Sequence, residues 1–350
     1  MSTPAPQLAL LDLVPLREGS TPGQAIAQAL QAARHVEALG FSRVWLAEHH
    51  NMPGLACSAT AVLVGHIAAG TARIRVGSGG IMLPNHAPLV VAEAFGTLHA
   101  LYPGRIDLGL GRAPGTDPLT MRALRRDRPE TEEDFPRDVA ELQRLLGPRQ
   151  PGQRVVAIPG VDSHVPIWLL GSSTFSAQLA AARGLPYAFA SHFAPRQLFH
   201  ALDLYRAGFV SSAQSARPRV VVGVPLVAAE SDAEAAFLAT SIYQRVSGIV
   251  RGDRRPLQPP VAGFLESRPA DEQAAIQQFL GLAVIGGPDT VARRLREIAD
   301  RTQADELMLV CDIFDPVRRL RALDIAAAAF ASEPVSMADP MVAPAIAMKE

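Results

Sequence analysis

The feature that most constrains this chain is a strand–helix alternation that runs from one end to the other. An apolar, strand-length run at Leu8–Val14 is followed by Pro22–Leu39, where Ile26, Leu30, Ala33, Val36 and Leu39 recur at helical spacing and Gly40 supplies a stop. Strand-like segments then fall at Ser42–Ala47, Ile74–Ile81, Arg105–Gly111, Pro166–Leu170, Tyr187–Ala190, Val220–Val227 and Leu307–Cys311. Between or after them, Ser58–Ala69, Pro88–Leu101, Phe175–Arg183, Pro195–Phe209, Pro288–Arg301 and Pro316–Phe330 read as helices. Units of about 30 residues are the length of a crossover that joins two parallel strands. Eight strands in this pattern predict an α/β fold, a (β/α)8 TIM barrel. Such a barrel needs about 250 residues, and the chain has 350. The surplus falls in two insertions, about 113–165 after the fourth strand and about 228–285 after the seventh. One domain over 1–335 with a tail at 336–350 is the simplest division. An open doubly wound sheet is the structural rival, and the count of eight favours closure.

Composition excludes several function classes. Thirty-three Lys and Arg against 34 Asp and Glu leave a formal charge of −1, without the basic excess that nucleic-acid phosphates demand. Two cysteines, Cys57 and Cys311, are too few for a disulfide framework or a cysteine metal site, and read as packing residues. No apolar run approaches the roughly 18 residues of a membrane span, and Met1 to Gln7 has no signal-like pattern. The expectation is a cytoplasmic protein that acts on a small molecule and contacts neither nucleic acid nor membrane.

In a barrel of this kind the chemistry sits at the C-terminal ends of the strands. The second strand ends in Glu48-His49-His50, and the third carries Gly79-Gly80 and leaves through Pro84-Asn85-His86. The fourth ends in Gly109-Leu110-Gly111-Arg112, the fifth in Gly171-Ser172-Ser173, and the sixth in Ser191-His192. A strand followed by Gly-Ser-Ser and a helix offers an anion the unpaired N–H groups of a helix start, with Ser172, Ser173 and Ser176 as extra donors. An ordinary N-cap is the alternative. Arg112 supplies the forked cation that a phosphate favours, unless it simply pairs with Asp117.

Gly79-Gly80 within a strand points to close approach of a flat ligand, a non-proline cis peptide, or a β-bulge. His49 and His50, being adjacent on a strand, point to opposite faces and do not share an ion, so no metal site is expected there. One imidazole facing a pocket, its other nitrogen oriented by a neighbour, is a suitable general acid or base near neutral pH, and a histidine satisfied within the core is the alternative for each ring. Gly109–Gly115 approaches a dinucleotide fingerprint but misplaces the third glycine and sets Pro114 where the helix should begin.

Glu48-His49-His50, Ser78–His86, Arg105–Arg112, Arg183–Pro186 and Gly286-Gly287-Pro288, taken in this order along the chain, resemble the bacterial luciferase-like flavin monooxygenases, in particular the single-chain alkanal-monooxygenase-like group. The resemblance implies a barrel that binds FMN at its C-terminal face, the reduced flavin coming from a separate NAD(P)H-dependent flavin reductase. Molecular oxygen then adds to the flavin, which oxidises an aldehyde or a related small organic compound. By the same resemblance His49 is the catalytic histidine, held by Glu48 or a backbone carbonyl, and Gly79-Gly80 is a cis peptide beneath the flavin ring. Arg112 is the phosphate arginine, with Gly171, Ser172, Ser173 and Ser176 beside it, while Glu48 and Gly111 line the cofactor site. Residues 251–269 match the family's lid. Gly111 replaces a reactive cysteine and implies more room there, and a homodimer is the family-like assembly. Two alternatives remain: hydride transfer with coenzyme F420, and a flavin-binding protein without catalysis.

Overall fold

The computed structural model describes residues 5–113, 117–125, 134–192 and 194–330. The 336–350 tail and Pro114-Gly115 of the near-fingerprint therefore lie outside the described residues. The chain starts with β1 (Gln7–Asp12), α1 (Pro22–Ala38), β2 (Arg43–Leu46), α2 (Thr60–Gly70) and β3 (Arg75–Met82). A 3-10 turn at Leu83–Asn85 leads to α3 (Pro88–Leu101) and β4 (Ile106–Gly111). The first insertion holds α4 (Pro118–Arg125) and α5 (Asp134–Leu146). Next come β5 (Ile167–Gly171), α6 (Thr174–Arg183), β6 (Tyr187–Phe189), α7 (Leu198–Ala207) and β7 (Val220–Ala228). The second insertion holds α8 (Asp232–Arg251), α9 (Ala270–Phe279) and β8 (Val284–Gly286), before α10 (Pro288–Thr302), β9 (Glu306–Val310) and α11 (Pro316–Ala328).

The local signals act as read. Pro22 stands at the first helical turn of α1, Thr21 caps it in a reciprocal box with Gln24, and Gly40 follows the helix end with φ +80°. Helix α6 ends at Gly184 in the left-handed region. Strands β1 to β7 pair in sequence, all parallel, and β9 pairs with both β7 and β1, so the ring is closed. Eight strands with helices between them make the fold a (β/α)8 TIM barrel. Two details differ from expectation. The helix expected over Pro195–Phe209 begins as a 3-10 turn at Pro195–Gln197 before α7. A ninth strand, β8, pairs only with the upper end of β7, Leu226 with Val284 and Ala228 with Gly286. Three residues carry too little periodicity to announce a strand.

At the N-terminal ends of the strands the barrel is closed by fixed charges. The Arg43 guanidinium donates to Asp107 Oδ2 at 2.6 Å and to both Glu306 oxygens at 2.8 Å. Arg75 donates to Asp107 Oδ1, and the Trp45 indole N–H to Asp107 Oδ2 at 3.2 Å. Arg43 also lies 4.6 Å over the Trp168 ring, which meets Trp45 edge-on at 5.4 Å. Burial would lower the Arg43 pKa, but the charges of Asp107 and Glu306 outweigh it and raise it. The charges of this floor are paired, while the buried Trp168 Nε1 and Arg219 Nε beside them have no hydrogen-bond partner.

Candidate functional site

The C-terminal ends of the strands gather the polar residues that the motifs singled out. Glu48 follows β2 and is 1 % exposed. Its Oε1 accepts from His50 Nε2 at 2.9 Å and from His86 Nε2 at 2.8 Å, and its Oε2 accepts from the Met82 N–H at 3.3 Å. Burial pushes this carboxyl up, but hydrogen bonds and charge from His86 and then His50 outweigh it and hold it below the usual carboxylate range. The Glu48 carboxylate ties the β2 exit to the β3–α3 corner through His50 and His86. The pairing of Glu48 with His50, two positions further on, is a contact that the motif Glu48-His49-His50 does not itself announce. His86 stood in a quoted motif, yet nothing in the sequence placed it beside them.

His49 is half-buried and acts electrostatically on His192, which follows β6. Burial first, then Arg245 and His49, lower the His192 pKa to about 3, so this ring is neutral in ordinary buffers. Arg245 of α8 reaches across the mouth to pair with Asp312, just beyond β9. Asp12, at the end of β1, pairs with the buried Arg319 of α11 at 2.9 Å. Cys57 and Cys311 are both buried, and burial pushes each thiol up to about 12, which fits packing rather than nucleophilic roles.

Gly79-Gly80 is a non-proline cis peptide, and the β3–β4 register shifts between Ser78 and Ile81. Both backbone readings thus hold together. What forbids side chains here is the protein itself. A Cβ on Gly79 would come 2.7 Å from Leu11 and 2.9 Å from Trp45 Cβ, and one on Gly80 would come 2.8 Å from the Gly109 carbonyl oxygen. The flexible Met82 side chain borders Gly111: a Cβ there would meet its sulfur at 3.0 Å.

Arg112, just past β4, is exposed and lies 4.2 Å over the Phe175 ring at the start of α6. It joins the serine segment. The alternative that it pairs with Asp117 gives way, since Asp117 caps α4 through the Leu119 and Thr120 N–H groups and accepts from Thr120 Oγ1 at 2.7 Å. Those bonds, led by the Thr120 N–H, lower the Asp117 pKa to about 2. Ser173 occupies the N-cap of α6 with extended backbone, but its side chain does not cap the helix. Ser172 and Ser173 are half-buried. Ser176 is buried against Gly171, where an added Cβ would lie 2.3 Å from its Oγ. The ordinary-cap reading of the segment therefore fails, and the helix start keeps its dipole and N–H groups for an anion.

Residues 251–269 rest on the same face. Leu257 donates its N–H to the Leu16 carbonyl at 2.7 Å and accepts from the Glu18 N–H at 2.9 Å. Arg254 reaches Met52, and Gly54 has no room for a Cβ beside the Arg255 carbonyl. The segment is thus seated on the β1–α1 and β2–α2 loops.

A closed barrel whose C-terminal rim joins a half-buried imidazole, an uncapped helix start and an arginine defines the class, a (β/α)8-barrel enzyme. Residues 7–305 match the model of the luciferase-like monooxygenases, and the chain belongs to that family, which makes it a monooxygenase-type oxidoreductase. A luciferase-like monooxygenase of Escherichia coli (strain K12) is 49 % identical over 317 residues, covering 91 % of this chain and 95 % of the relative. The crystal structure of apo-MsnO8 superposes with a TM-score of 0.87 at 38 % identity, over 93 % of this chain and 98 % of that one. The FMN complex of the oxygenating constituent of 3,6-diketocamphane monooxygenase from Pseudomonas putida has the same fold, with a TM-score of 0.70 at 16 % identity over 92 % of this chain and 97 % of that one. No described helix is long and apolar enough to cross a membrane.

Proposed function

We propose that this chain is an FMN-dependent monooxygenase that takes reduced FMN from a separate NAD(P)H-dependent flavin reductase and uses molecular oxygen to oxidise a small, aldehyde-like organic substrate. The observation that carries the reading is the convergence of Arg112 with the uncapped start of α6, because the two together suit a dianionic phosphate better than either alone. The residues present fit the cofactor at that end. Arg112 and the N–H groups behind Ser172 and Ser173 would hold its phosphate, and Gly79-Gly80 would offer backbone without side chains towards its ring. Bound reduced FMN supplies the electrons that activate dioxygen. His49 is the base that moves a proton at the substrate, and neutral His192 and the Arg245–Asp312 pair face it across the mouth. The segment 251–269 excludes water from the site.

The domain over 1–335 acts as one catalytic unit in the cytoplasm, and a homodimer is its assembly. Neighbouring helices α2 and α3 support the dimer by leaving Val62, Val90 and Leu101 exposed. The test is direct. The full chain is titrated with FMN, riboflavin and coenzyme F420, and oxygen uptake is then followed with reduced FMN and a series of aldehydes. Tight FMN binding, weak riboflavin binding and aldehyde-stimulated uptake are expected. Preference for F420 overturns the cofactor assignment, and FMN binding with no stimulated uptake by any candidate substrate leaves a flavin carrier.

A further inference from the structure

We propose that Glu48, His50 and His86 form a binding site for one divalent transition ion of the zinc type, distinct from the phosphate end of the mouth. Oε1 of Glu48 and Nε2 of each imidazole, all within 4.8 Å of one another, converge on one point. Two imidazoles and one carboxylate are a recognised zinc ligand set that leaves a fourth position for water or another small ligand. Mg²⁺ and Ca²⁺ favour all-oxygen shells, so the donor chemistry selects a borderline ion.

The three ligands are prearranged by separate parts of the backbone. Glu48 and His50 lie two positions apart just past the end of β2, and their side chains meet at 2.9 Å. His86 closes the 3-10 turn that follows β3, where its N–H donates to the Leu83 carbonyl at 3.0 Å. The two rings are not stacked: their centroids are 6.5 Å apart and their planes differ by 50°, so two edges approach a common oxygen from different directions. The second carboxylate oxygen is engaged by the Met82 N–H, which fixes the carboxylate and leaves Oε1 facing the rings. Side-chain exposure of 1 % for Glu48, 16 % for His50 and 30 % for His86 gives a buried anionic base with one open side. An ion entering there replaces the two N–H···O bonds with N–metal–O bonds: each neutral ring moves its Nε2 proton to Nδ1 by exchange with water, and a ring that carries both protons releases one. His49 contributes no atom to this group of three.

The test uses the full chain, free of affinity tag and of flavin, titrated with Co²⁺ and with Zn²⁺. One equivalent of Co²⁺ is expected to give a visible d–d band that Zn²⁺ abolishes, and Zn²⁺ is expected to raise the melting temperature. His86→Ala and the milder His86→Gln, at a partly exposed ring, should each weaken Zn²⁺ at least tenfold, as should Glu48→Gln, while His49→Ala binds as the parent does. Absence of the cobalt band together with an unchanged melting temperature at about 1 mM Zn²⁺, or binding that survives both His86 variants, overturns the site. FMN affinity is measured on the same samples, so loss of the flavin reading and loss of the metal site remain separate outcomes.

Discussion

At the floor of the barrel Arg43 is clamped between Asp107 and Glu306, whereas at the mouth Glu48 meets two imidazoles. Both are buried carboxylate clusters: the floor joins β2 to β4 and β9, each one strand removed, and the mouth joins the segments that follow β2 and β3. They differ in the partner. Guanidinium keeps its charge at any pH a protein survives, and the floor's donors are directed at fixed acceptors. Imidazole changes charge near neutrality, keeps a second ring nitrogen, and binds protons or metals in exchange. The floor therefore has one state, and the mouth has several. In this fold the comparison assigns stability to one end and chemistry to the other.

Substitutions separate the two ends. His49→Ala should lower turnover about 10²- to 10⁴-fold while the melting temperature moves little, as read by oxygen uptake and calorimetry side by side. Arg43→Met should do the reverse. It leaves Asp107 and Glu306 buried without their cation, at a cost of about 3–5 kcal/mol in urea denaturation, while the folded fraction still binds FMN. A smaller effect is expected from Arg112→Ala, whose Kd for FMN should rise about 10- to 100-fold through loss of a charge-assisted contact. Its affinity for riboflavin, which has no phosphate, should be unchanged.

The smallest effect is in pH. The folded His192 pKa of about 3 lies below the ordinary 6.5, so the unfolded chain binds more protons between these values. Stability contributed by the neutral ring is intact above 6.5 and declines as pH falls towards 3, by about 2 kcal/mol at pH 5. Denaturant midpoints from pH 7 to 5 should show that decline, and His192→Gln should flatten it. An unchanged slope in the variant would remove His192 as its source.

The fold was readable because helix caps, glycine stops and apolar strands repeat along the chain. Pro22 with Gly40, and Phe175–Arg183 with Gly184, bracket their helices by local chemistry alone. The barrel's closure needed only the strand count. What the sequence hid depends on neighbours far along the chain. Glu48 and His86 are 38 positions apart, and no local pattern says that their side chains meet. Likewise Gly79-Gly80 announces an unusual backbone, but only the packed structure shows Leu11, Trp45 and the Gly109 carbonyl occupying the space a side chain would need. Ser173 looks like a cap in sequence, and its failure to cap is a matter of side-chain direction.

Strand β7 both launches the second insertion and receives it back, because β8 pairs with the end of the strand from which the chain departed. Everything between Arg251 and Ala270 thus leaves and rejoins the barrel through β7, and touches it elsewhere through Leu16, Glu18 and Met52. Trimming or grafting that stretch changes the roof over the active chamber without sliding β9 against β1 or β7. A designer could exchange roofs between relatives to alter which compounds enter, and leave the masonry below untouched.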